Sequence, residues 1–260
     1  MRFATWNVNS LKARLPRVLG WLEEHQPDVL CIQETKMKNE AFPADALAEA
    51  GYESAHFGQG QWNGVAILSR VGISDVTTGF GDGPDAYSGD ARCIAATCAD
   101  VRFVNLYVPN GREVATDYYE RKLTWFEQLA DWLQANYVPS APLVVLGDFN
   151  VAPEDRDVWD IAAFAGATHV TAKERTALDR LTQWGLTDAF RALHPDETSF
   201  TFWDYRGGDF HKGHGMRIDL ALVSAPVAAQ LAMATVDRNA RKGSQPSDHA
   251  PLMVELRSDN

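Results

Sequence analysis

Residues 143–150 constrain the fold of this chain more than any other segment. They begin with four consecutive apolar residues, two of them valine, and continue through Gly147 and Asp148 to Asn150. A continuous apolar run of this length is typical of a strand buried on both faces. Because side chains alternate along a strand, Asp148 and Asn150 are predicted to project in the same direction where the strand ends. Open α/β sheets place their chemistry at such an end, but Asp and Asn also form ordinary turns, so this segment alone leaves both interpretations open.

Polar side chains stand at the ends of five further apolar segments, or inside them. They are Asn7 and Asn9 after residues 2–6, Glu34 after 28–33, Tyr107 and Asn110 after 101–106, Asp219 within 217–223, and Asp248 and His249 before 252–256. A buried ionised carboxylate is costly unless it is paired or bound to a metal. Unrelated turns explain this recurrence poorly, and the pattern favours one shared polar site at the strand ends.

These motifs occur in the order of a known family. Residues 6–9 (WNVN), 32–36 (IQETK), 106–111 (LYVPNG), 147–150 (GDFN), 217–220 (RIDL) and 247–251 (SDHAP) resemble the exonuclease III-type apurinic/apyrimidinic endonucleases. These belong to the endonuclease/exonuclease/phosphatase superfamily. The resemblance extends from Met1 to about Leu256. It implies an α/β fold of four layers, an αββα sandwich in which two packed mixed sheets are flanked by helices.

The length of the chain suits one large α/β domain, taken as residues 1–260, because no linker-like or low-complexity stretch divides its 260 residues. Strands and helices alternate twice around a long helix predicted from Thr116 to about Tyr137, which suits two sheets packed face to face. A helix is predicted to begin at Pro16 after a turn over 10–15. A strand is predicted over 199–203, and a surface loop over 79–90.

The charge of the chain argues at first against a nucleic-acid partner. The formal net charge is −11, with 24 Lys and Arg against 35 Asp and Glu, whereas proteins that grip DNA phosphates are usually basic. Residues 206–217 and 237–242 each carry three Lys or Arg against one Asp, so a basic strip on an acidic body remains open. Three cysteines without metal-ligand spacing, and the absence of a signal-peptide pattern or a transmembrane-length apolar run, predict a cytoplasmic protein.

Oxygen-rich side chains at the strand ends indicate a hard divalent cation. Mg²⁺ prefers oxygen ligands and usually keeps most of its waters, binding one or two carboxylates, and Mn²⁺ is expected to substitute for it. Glu34 with Asn7 beside it is the predicted metal site, and Asp248 is a further candidate ligand or ligand-orienting residue. The resemblance implies the same positions for the metal, with Asn9 just outside them.

The remaining polar residues are predicted to carry out hydrolysis of a phosphodiester. Asp148 would accept a proton from the attacking water, and Asn150 would hold that water or a phosphate oxygen. Asp219 is expected to raise the pKa of His249, giving an imidazolium that stabilises charge on the phosphoryl oxygens. Tyr107 would donate to a phosphate oxygen or to the leaving group. The other histidines, among them His169, are interpreted as solvated or capping residues.

Aromatic and basic residues near the C-terminal third indicate how a nucleic acid would be held. Phe202 and Trp203 precede the basic, Gly-rich stretch up to Arg217, and this mixture suits a DNA backbone with an aromatic pocket for an extrahelical sugar. The alternative is a strand with one aromatic buried in the core. Further candidate contacts are Asn110 and Arg112 to phosphate and, as the resemblance implies, Phe202 and Ile218 around an abasic sugar and Trp62, Arg92 and Met216 near the DNA.

The predicted function is metal-dependent cleavage of double-stranded DNA 5′ to abasic sites, leaving a 3′-hydroxyl, together with 3′–5′ exonuclease and 3′-end-trimming activity. The resemblance implies a bacterial protein that acts as a monomer at the nucleoid, without membrane contact. Two alternatives stay open at this stage. One is a relative that hydrolyses phospholipid head groups or inositol phosphates, and the other is a non-catalytic nucleic-acid-binding module.

Overall fold

The computed structural model describes residues 1–80 and 89–257, and these form twelve strands and seven α-helices. The strands are β1 (Arg2–Asn7), β2 (Val29–Gln33), β3 (Glu53–Phe57), β4 (Val65–Ser69), β5 (Ser74–Thr78), β6 (Cys93–Cys98), β7 (Val101–Tyr107), β8 (Leu143–Asp148), β9 (Thr187–Asp188), β10 (Asp219–Val223), β11 (Leu231–Val236) and β12 (Leu252–Leu256). The helices are α1 (Leu11–His25), α2 (Ala44–Glu49), α3 (Asp117–Asn136), α4 (Ala172–Trp184), α5 (Ala189–Leu193), α6 (Asp209–Lys212) and α7 (Ala225–Ala228).

The strands build two six-stranded sheets, with the orders β11-β12-β1-β2-β4-β3 and β5-β6-β7-β8-β10-β9. Strand β1 pairs in parallel with β2, and β7 pairs in parallel with β8. The remaining pairs within these sheets are antiparallel. Both sheets are therefore mixed, as the sequence predicted.

Three apolar cores hold four layers together. The central core lies between the sheets, where Phe3 of β1 meets Phe103 of β7 edge to face with ring centroids 5.5 Å apart. Helices α1 and α2 cover the outer face of the first sheet around Trp6, and α3 and α4 cover the outer face of the second around Val145. Each fully buried side chain of this size contributes roughly 1.5–3 kcal/mol. The predicted αββα sandwich is confirmed.

Two local predictions are wrong. Helix α1 begins at Leu11 rather than Pro16, because the fully buried Leu11 side chain and a hydrogen bond from Leu11 N to Thr35 O (3.1 Å) fix the first turn. Residues 199–203 form no strand, and Phe202 makes only isolated β-bridges. The Thr201 side chain replaces part of the backbone pairing, because its Oγ1 accepts hydrogen bonds from the backbone N–H groups of Ile218 and Asp219. Most of the loop predicted over 79–90 lies outside the described residues.

The register of the second sheet places three predicted site residues in one row. Tyr107 of β7 is the pairing partner of Asp148 of β8, and Asp219 of β10 is the partner of Asp148 on the other side. Because β10 runs antiparallel to β8, its first residue meets the end of β8. Gly147 permits this close approach: its φ is +143°, and a Cβ there would lie 2.0 Å from the backbone oxygen of Leu106.

Candidate active site

A polar cluster joins the two sheets where β1, β2 and β8 end. Asn7, at the end of β1 in the first sheet, donates its Nδ2 to Glu34 Oε1 (2.8 Å) and to Asp148 Oδ2 (2.9 Å) in the second sheet. Asn7 and Asp148 are almost completely buried, and the Glu34 side chain is 16% exposed. One amide thus joins the carboxylates that end β2 and β8. The sequence predicted that these residues lie together, and the structure brings them together.

A His–Asp pair faces the buried carboxylate of Asp148. His249 Nδ1 hydrogen bonds to Asp219 Oδ2 at 2.8 Å, and His249 Nε2 points toward Asp148 Oδ2 at 3.8 Å. Burial by itself lowers the pKa of His249, but the neighbouring carboxylates of Asp219 and Asp148 outweigh it and raise that pKa to about 10. The imidazole is therefore positively charged at neutral pH, as predicted.

Asp148 is poised to change its protonation state near neutral pH. Its Oδ1 accepts a hydrogen bond from the backbone N of Asn150 (2.9 Å), which fixes the carboxylate. Burial raises its pKa to about 7, with His249 opposing the shift and Asp219 adding to it. A carboxylate with this pKa is suited to accept a proton at physiological pH.

Glu34 and Asp248 are linked through the ammonium group of Lys36 and the side-chain amide of Asn9. Lys36 Nζ contacts Glu34 Oε2 (2.8 Å) and Asn9 Oδ1 (2.5 Å), and Asn9 Nδ2 donates to Asp248 Oδ1 (3.0 Å). Burial raises the pKa of Glu34, but Lys36 and Asn7 together bring it below its ordinary value. Asp248 is thus connected to the cluster through Asn9 and is placed to orient its neighbours.

The donor set fits a hard cation. Asp148, Asp219 and His249 have ligand atoms within 4.8 Å of one another. His249 is not suited to bind the cation, because an imidazolium has no free lone pair. The carboxylates of Asp148 and Asp219 lie close together, Glu34 shares the Asn7 amide with Asp148, and Asp219 Oδ1 is buried without a hydrogen-bond partner among the described residues. Such a concentration of negative oxygen is typical of a site for Mg²⁺ or Mn²⁺.

The orientation of the Asn7 amide bears on its predicted role as a ligand. Its nitrogen faces Glu34 and Asp148, and its oxygen accepts from the backbone N of Asn9 at 3.0 Å. In this orientation Asn7 holds the two carboxylates in place. It can offer its oxygen to a cation only after the amide rotates.

Tyr107 lies beside the cluster, and its hydroxyl group stays protonated at neutral pH. Burial and the nearby carboxylate of Glu34 raise its pKa well above the ordinary value, so the phenol remains a hydrogen-bond donor at neutral pH. The guanidinium of Arg92 lies over its ring, 4.7 Å from the centroid, and also contacts its backbone oxygen. The Tyr107 hydroxyl lies within hydrogen-bond reach of Glu34, and its donation to a phosphate oxygen or leaving group stays a prediction.

Asn150 is present but turns its side chain away from the position expected by strand alternation. It lies beyond the end of β8 with a left-handed φ of 51°. Its Nδ2 donates to Val108 O (2.9 Å), and its Oδ1 accepts from Asn110 Nδ2 (3.1 Å). Alternation ends with the strand, so Asn150 acts on Asp148 through its backbone. Arg112 is exposed, with its guanidinium 3.8 Å from the ring centroid of Tyr118.

An apolar wall stands next to the imidazole. The half-buried Phe202 ring has its centroid 4.9 Å from that of the His249 ring. Its side chain packs against an apolar cluster that contains Met216 and Ile218, and its backbone forms an isolated β-bridge with Met216. Trp203, which was predicted to bind substrate, is only 1% exposed and packs under Phe210. That prediction is wrong, because Phe202 and Trp203 point to opposite sides of the segment and only Phe202 faces the site.

The predicted basic strip is only partly at the surface. Arg217 is fully buried and bonds to Asp157 and Asp188, so it fixes the segment that leads into β10. Arg241 is also buried, whereas Arg206 is exposed and pairs with Asp204 at 2.7 Å. Local charge counts in the sequence could not separate surface cations from buried ones.

The sequence analysis did not connect two residues, Lys122 and His169, with this site. Lys122 of α3 is fully buried and donates to the backbone oxygen of Asn150, and His169 Nδ1 donates to the same oxygen. Burial lowers the pKa of His169 to about 4, and its partly exposed ring bonds to a backbone oxygen, which agrees with the interpretation of His169 as a solvated or capping residue. A signal for Lys122 was available: it falls at helical spacing on the apolar stripe that contains Phe126, Leu129 and Leu133.

Comparison with known proteins agrees with this geometry. Residues 4–249 match the Endonuclease/Exonuclease/phosphatase family model, and the chain belongs to that family. It is 32% identical over 273 residues to exodeoxyribonuclease III of Haemophilus influenzae, covering 99% of this chain and 100% of that protein.

Two solved structures share the whole fold. An AP endonuclease from Archaeoglobus fulgidus has a TM-score of 0.95 and 35% identity, with 99% of this chain and 100% of that chain covered. A variant of the 3′ phosphatase NExo from Neisseria, bound to a product DNA hairpin, has a TM-score of 0.93 and 39% identity, with 99% and 100% covered. Within residues 1–80 and 89–257, the helices are too short or too polar to cross a membrane.

Proposed function

We propose that the protein is a metal-dependent DNA-repair nuclease. It hydrolyses the phosphodiester 5′ to an abasic site, leaving a 3′-hydroxyl, and it also removes nucleotides or blocking groups from 3′ ends. The observation that carries this proposal is the buried Asp148 carboxylate facing a charged His249–Asp219 pair, with Nε2 and Oδ2 3.8 Å apart.

The activities named for the similar proteins all break the same kind of bond, the one between phosphorus and a 3′ oxygen. They are described as an exodeoxyribonuclease, an AP endonuclease and a 3′ phosphatase. All three activities can be written as the same step, in which water attacks phosphorus and the bond to a 3′ oxygen breaks. A single site of this kind therefore supports both internal incision and trimming of a 3′ end.

Asp148 would act as the general base. With a pKa of about 7, it is ionised in a large fraction of molecules at neutral pH and can take a proton from a water held between itself and the phosphate. The backbone N of Asn150 bonds Oδ1 and leaves Oδ2 facing the site. The water oxygen then forms its bond to phosphorus while the bond to the 3′ oxygen breaks.

His249 and Tyr107 would stabilise the charge that develops. The imidazolium directs Nε2 into the site because Asp219 holds Nδ1, so it can donate to a phosphoryl oxygen. The Tyr107 hydroxyl, protonated at neutral pH, can donate to a second phosphate oxygen or to the departing 3′ oxygen. Preorganised donors of this kind typically contribute about 10²–10³ in rate each.

Glu34, with Asn7 beside it, would hold Mg²⁺, and Mn²⁺ should substitute; Asp248 would orient these groups through Asn9. When bound, the cation would neutralise phosphate charge and stabilise the departing oxygen. The carboxylates of Glu34 and Asp148, which share the Asn7 amide, support this assignment because they concentrate negative oxygen where β2 and β8 end.

The surface around the cluster suits DNA. Trp62 is 66% exposed and lines a cavity of about 320 Å³ together with Arg92, Arg112 and Tyr118. Exposed aromatic rings and guanidinium groups bind nucleic-acid strands by stacking and phosphate contact. On the other side, Phe202 offers an apolar wall for a sugar. We further propose that the protein acts as a monomer on chromosomal DNA in the cytoplasm.

The test is a panel of three labelled DNAs with Mg²⁺ or with EDTA. One duplex carries a central tetrahydrofuran abasic analogue, one has a recessed 3′-hydroxyl end, and one has a 3′-phosphate at a nick. The proposal expects a Mg²⁺-dependent cut 5′ to the analogue, release of nucleotides from the recessed end, and loss of the 3′-phosphate. If folded protein with Mg²⁺ cleaves none of them, DNA is not the substrate, and inositol phosphates and phospholipids are tested next.

A further inference from the structure

We infer that Lys122 is a positioning residue for the proposed hydrolysis. Its buried ammonium fixes the loops that carry Asn110 and Asn150 and, through the backbone of Asn150, the carboxylate of Asp148. The inference rests on the proposed function, and it assigns a task in that reaction to a residue on the outer helical layer.

Lys122 is directed at the backs of two active-site loops. The residue is fully buried, and its Nζ donates to Asn150 O (2.7 Å) and contacts Asn110 O (3.3 Å) and Glu174 Oε1 (2.5 Å). An ammonium has three protons, so these contacts use its full donor capacity. The loop after β7 and the loop after β8 are therefore tied to one atom on α3.

The peptide units of Asn150 transmit this restraint to Asp148. On its carbonyl side, Asn150 O accepts from Lys122 and from His169 Nδ1 (2.6 Å). On its amide side, Asn150 N donates to Asp148 Oδ1 at 2.9 Å. The residue has a left-handed φ of 51°, which Asn adopts more readily than most residues, so the orientation of its peptide depends on the contacts that hold it. Two donors on one carbonyl provide that hold.

Glu174 keeps Lys122 in place. It belongs to the first turn of α4, where it forms a capping box with Thr171, and its Oε1 also accepts from Thr168 Oγ1 and from the backbone N of His169. Thr168 and His169 in turn donate to Asn110 O and Asn150 O, so Glu174 also reaches the active-site loops through these two residues. Its charge compensates the buried ammonium.

Stability alone is a weak explanation of this pair. A buried Lys–Glu pair costs desolvation free energy, and apolar side chains of similar volume often stabilise a protein as well or better. A positioning role explains why the ammonium is aimed at loop carbonyls. Hydrolysis is sensitive to such placement, because a shift of about 1 Å in a reacting group can lower the rate on the order of 10²-fold.

A stabilising role and a positioning role of Lys122 are distinguished by comparing the double variant Lys122→Met/Glu174→Gln with Glu174→Gln alone. Glu174→Gln keeps the donor on Asn150 but leaves the lysine without its counter-charge, so it should be less stable than wild type and should cleave faster than the double variant. The double variant has no unpaired buried charge, so its Tm should recover. Its single-turnover cleavage rate should nevertheless fall about 10²-fold, while Kd for the tetrahydrofuran duplex, measured in EDTA, changes less than about threefold.

A folded double variant that cleaves within about twofold of wild type would overturn the inference. If Lys122→Met/Glu174→Gln does not fold, Lys122→Gln/Glu174→Gln replaces it; its polar side chain is easier to accommodate but is one atom too short to keep the bond to Asn150. The same comparison of rate, Kd and Tm then applies. Failure of wild-type protein to cleave DNA at all would refute the proposed function, which is a separate result.

Discussion

Replacing Asp219 by asparagine should remove the positive charge from His249 with little change in the shape of the site. In the wild type, His249 has a pKa of about 10, so fewer than about 1% of the imidazoles are neutral at pH 7.5. Asp219, 2.8 Å from Nδ1, is the strongest of the influences that raise this pKa, and burial opposes them. Without the Asp219 carboxylate, burial should lower the pKa of His249 toward its ordinary 6.5, with Asp148 and Asp248 still opposing the fall.

The size of the effect follows from that change. A fall from about 10 to 6.5 corresponds to roughly 5 kcal/mol of lost preference for the charged imidazole, at 1.36 kcal/mol per pH unit. Loss of one preorganised charge-stabilising donor usually costs about 10²–10³ in rate, so Asp219→Asn should slow single-turnover cleavage by that factor at neutral pH. The ratio of wild-type to variant rate should narrow toward acid pH, where the imidazole regains its proton.

The assay is single-turnover cleavage of the tetrahydrofuran duplex from mildly acidic to mildly alkaline pH. Asp237→Asn is the matched control, because Asp237 forms another His–Asp pair, 3.3 Å from His25 Nε2, away from the site. The reasoning would be refuted if Asp219→Asn cleaved within a few-fold of wild type across this range, or if the rate ratio did not depend on pH.

The same pair affects stability. The folded pKa of His249 lies above its unfolded value, so the stabilisation is fully present below about pH 6.5 and is lost as pH rises through about 10. The Tm of wild type should therefore fall more steeply than that of Asp219→Asn between neutral and alkaline pH.

Three further outcomes are expected from other parts of the site. Glu34→Gln should raise the Mg²⁺ concentration needed for half-maximal cleavage by at least about tenfold with a small change in Tm; an unchanged Mg²⁺ dependence would remove Glu34 from the metal site. Asp148→Asn should abolish turnover and preserve DNA binding in EDTA, and the wild-type rate should rise with pH through about 7 as Asp148 ionises; substantial cleavage by the variant would place the base elsewhere. Trp203→Phe should lower Tm through lost packing and leave Kd for DNA unchanged, since the indole is buried; weaker DNA binding at unchanged Tm would return Trp203 to the substrate surface.

The order of strands and helices suited two packed sheets and the polar strand ends indicated one shared site, whereas the family resemblance implied the four-layer architecture. Asp148, Glu34 and Asn7 each follow a buried strand, and local patterning reveals such positions without tertiary information. The family resemblance added the pairing of Asp219 with His249, which are thirty residues apart and belong to different segments.

Features that depend on packing were harder to predict. Strand alternation placed the Asn150 side chain beside that of Asp148, but the strand ends before Asn150 and the left-handed backbone redirects it. Trp203 and Arg217 were assigned to the substrate surface from composition, yet both are buried by elements that are distant in sequence. Proline at position 16 indicated a helix start, but burial of Leu11 extends the helix by more than a turn.

The central claim is that water attacks phosphorus, and the most direct test is to find which product contains the oxygen atom of that water. The tetrahydrofuran duplex is cleaved in water enriched in oxygen-18, and both product ends are analysed by mass spectrometry. Hydrolysis with Asp148 as the base predicts one oxygen-18 atom in the 5′-phosphate of the abasic fragment and an unlabelled 3′-hydroxyl on the other. Oxygen-18 in the 3′-hydroxyl would contradict attack of water at phosphorus, and a 3′-phosphate product would show that the bond to the 5′ oxygen breaks instead; either result would refute the reaction assigned to Asp148 and His249.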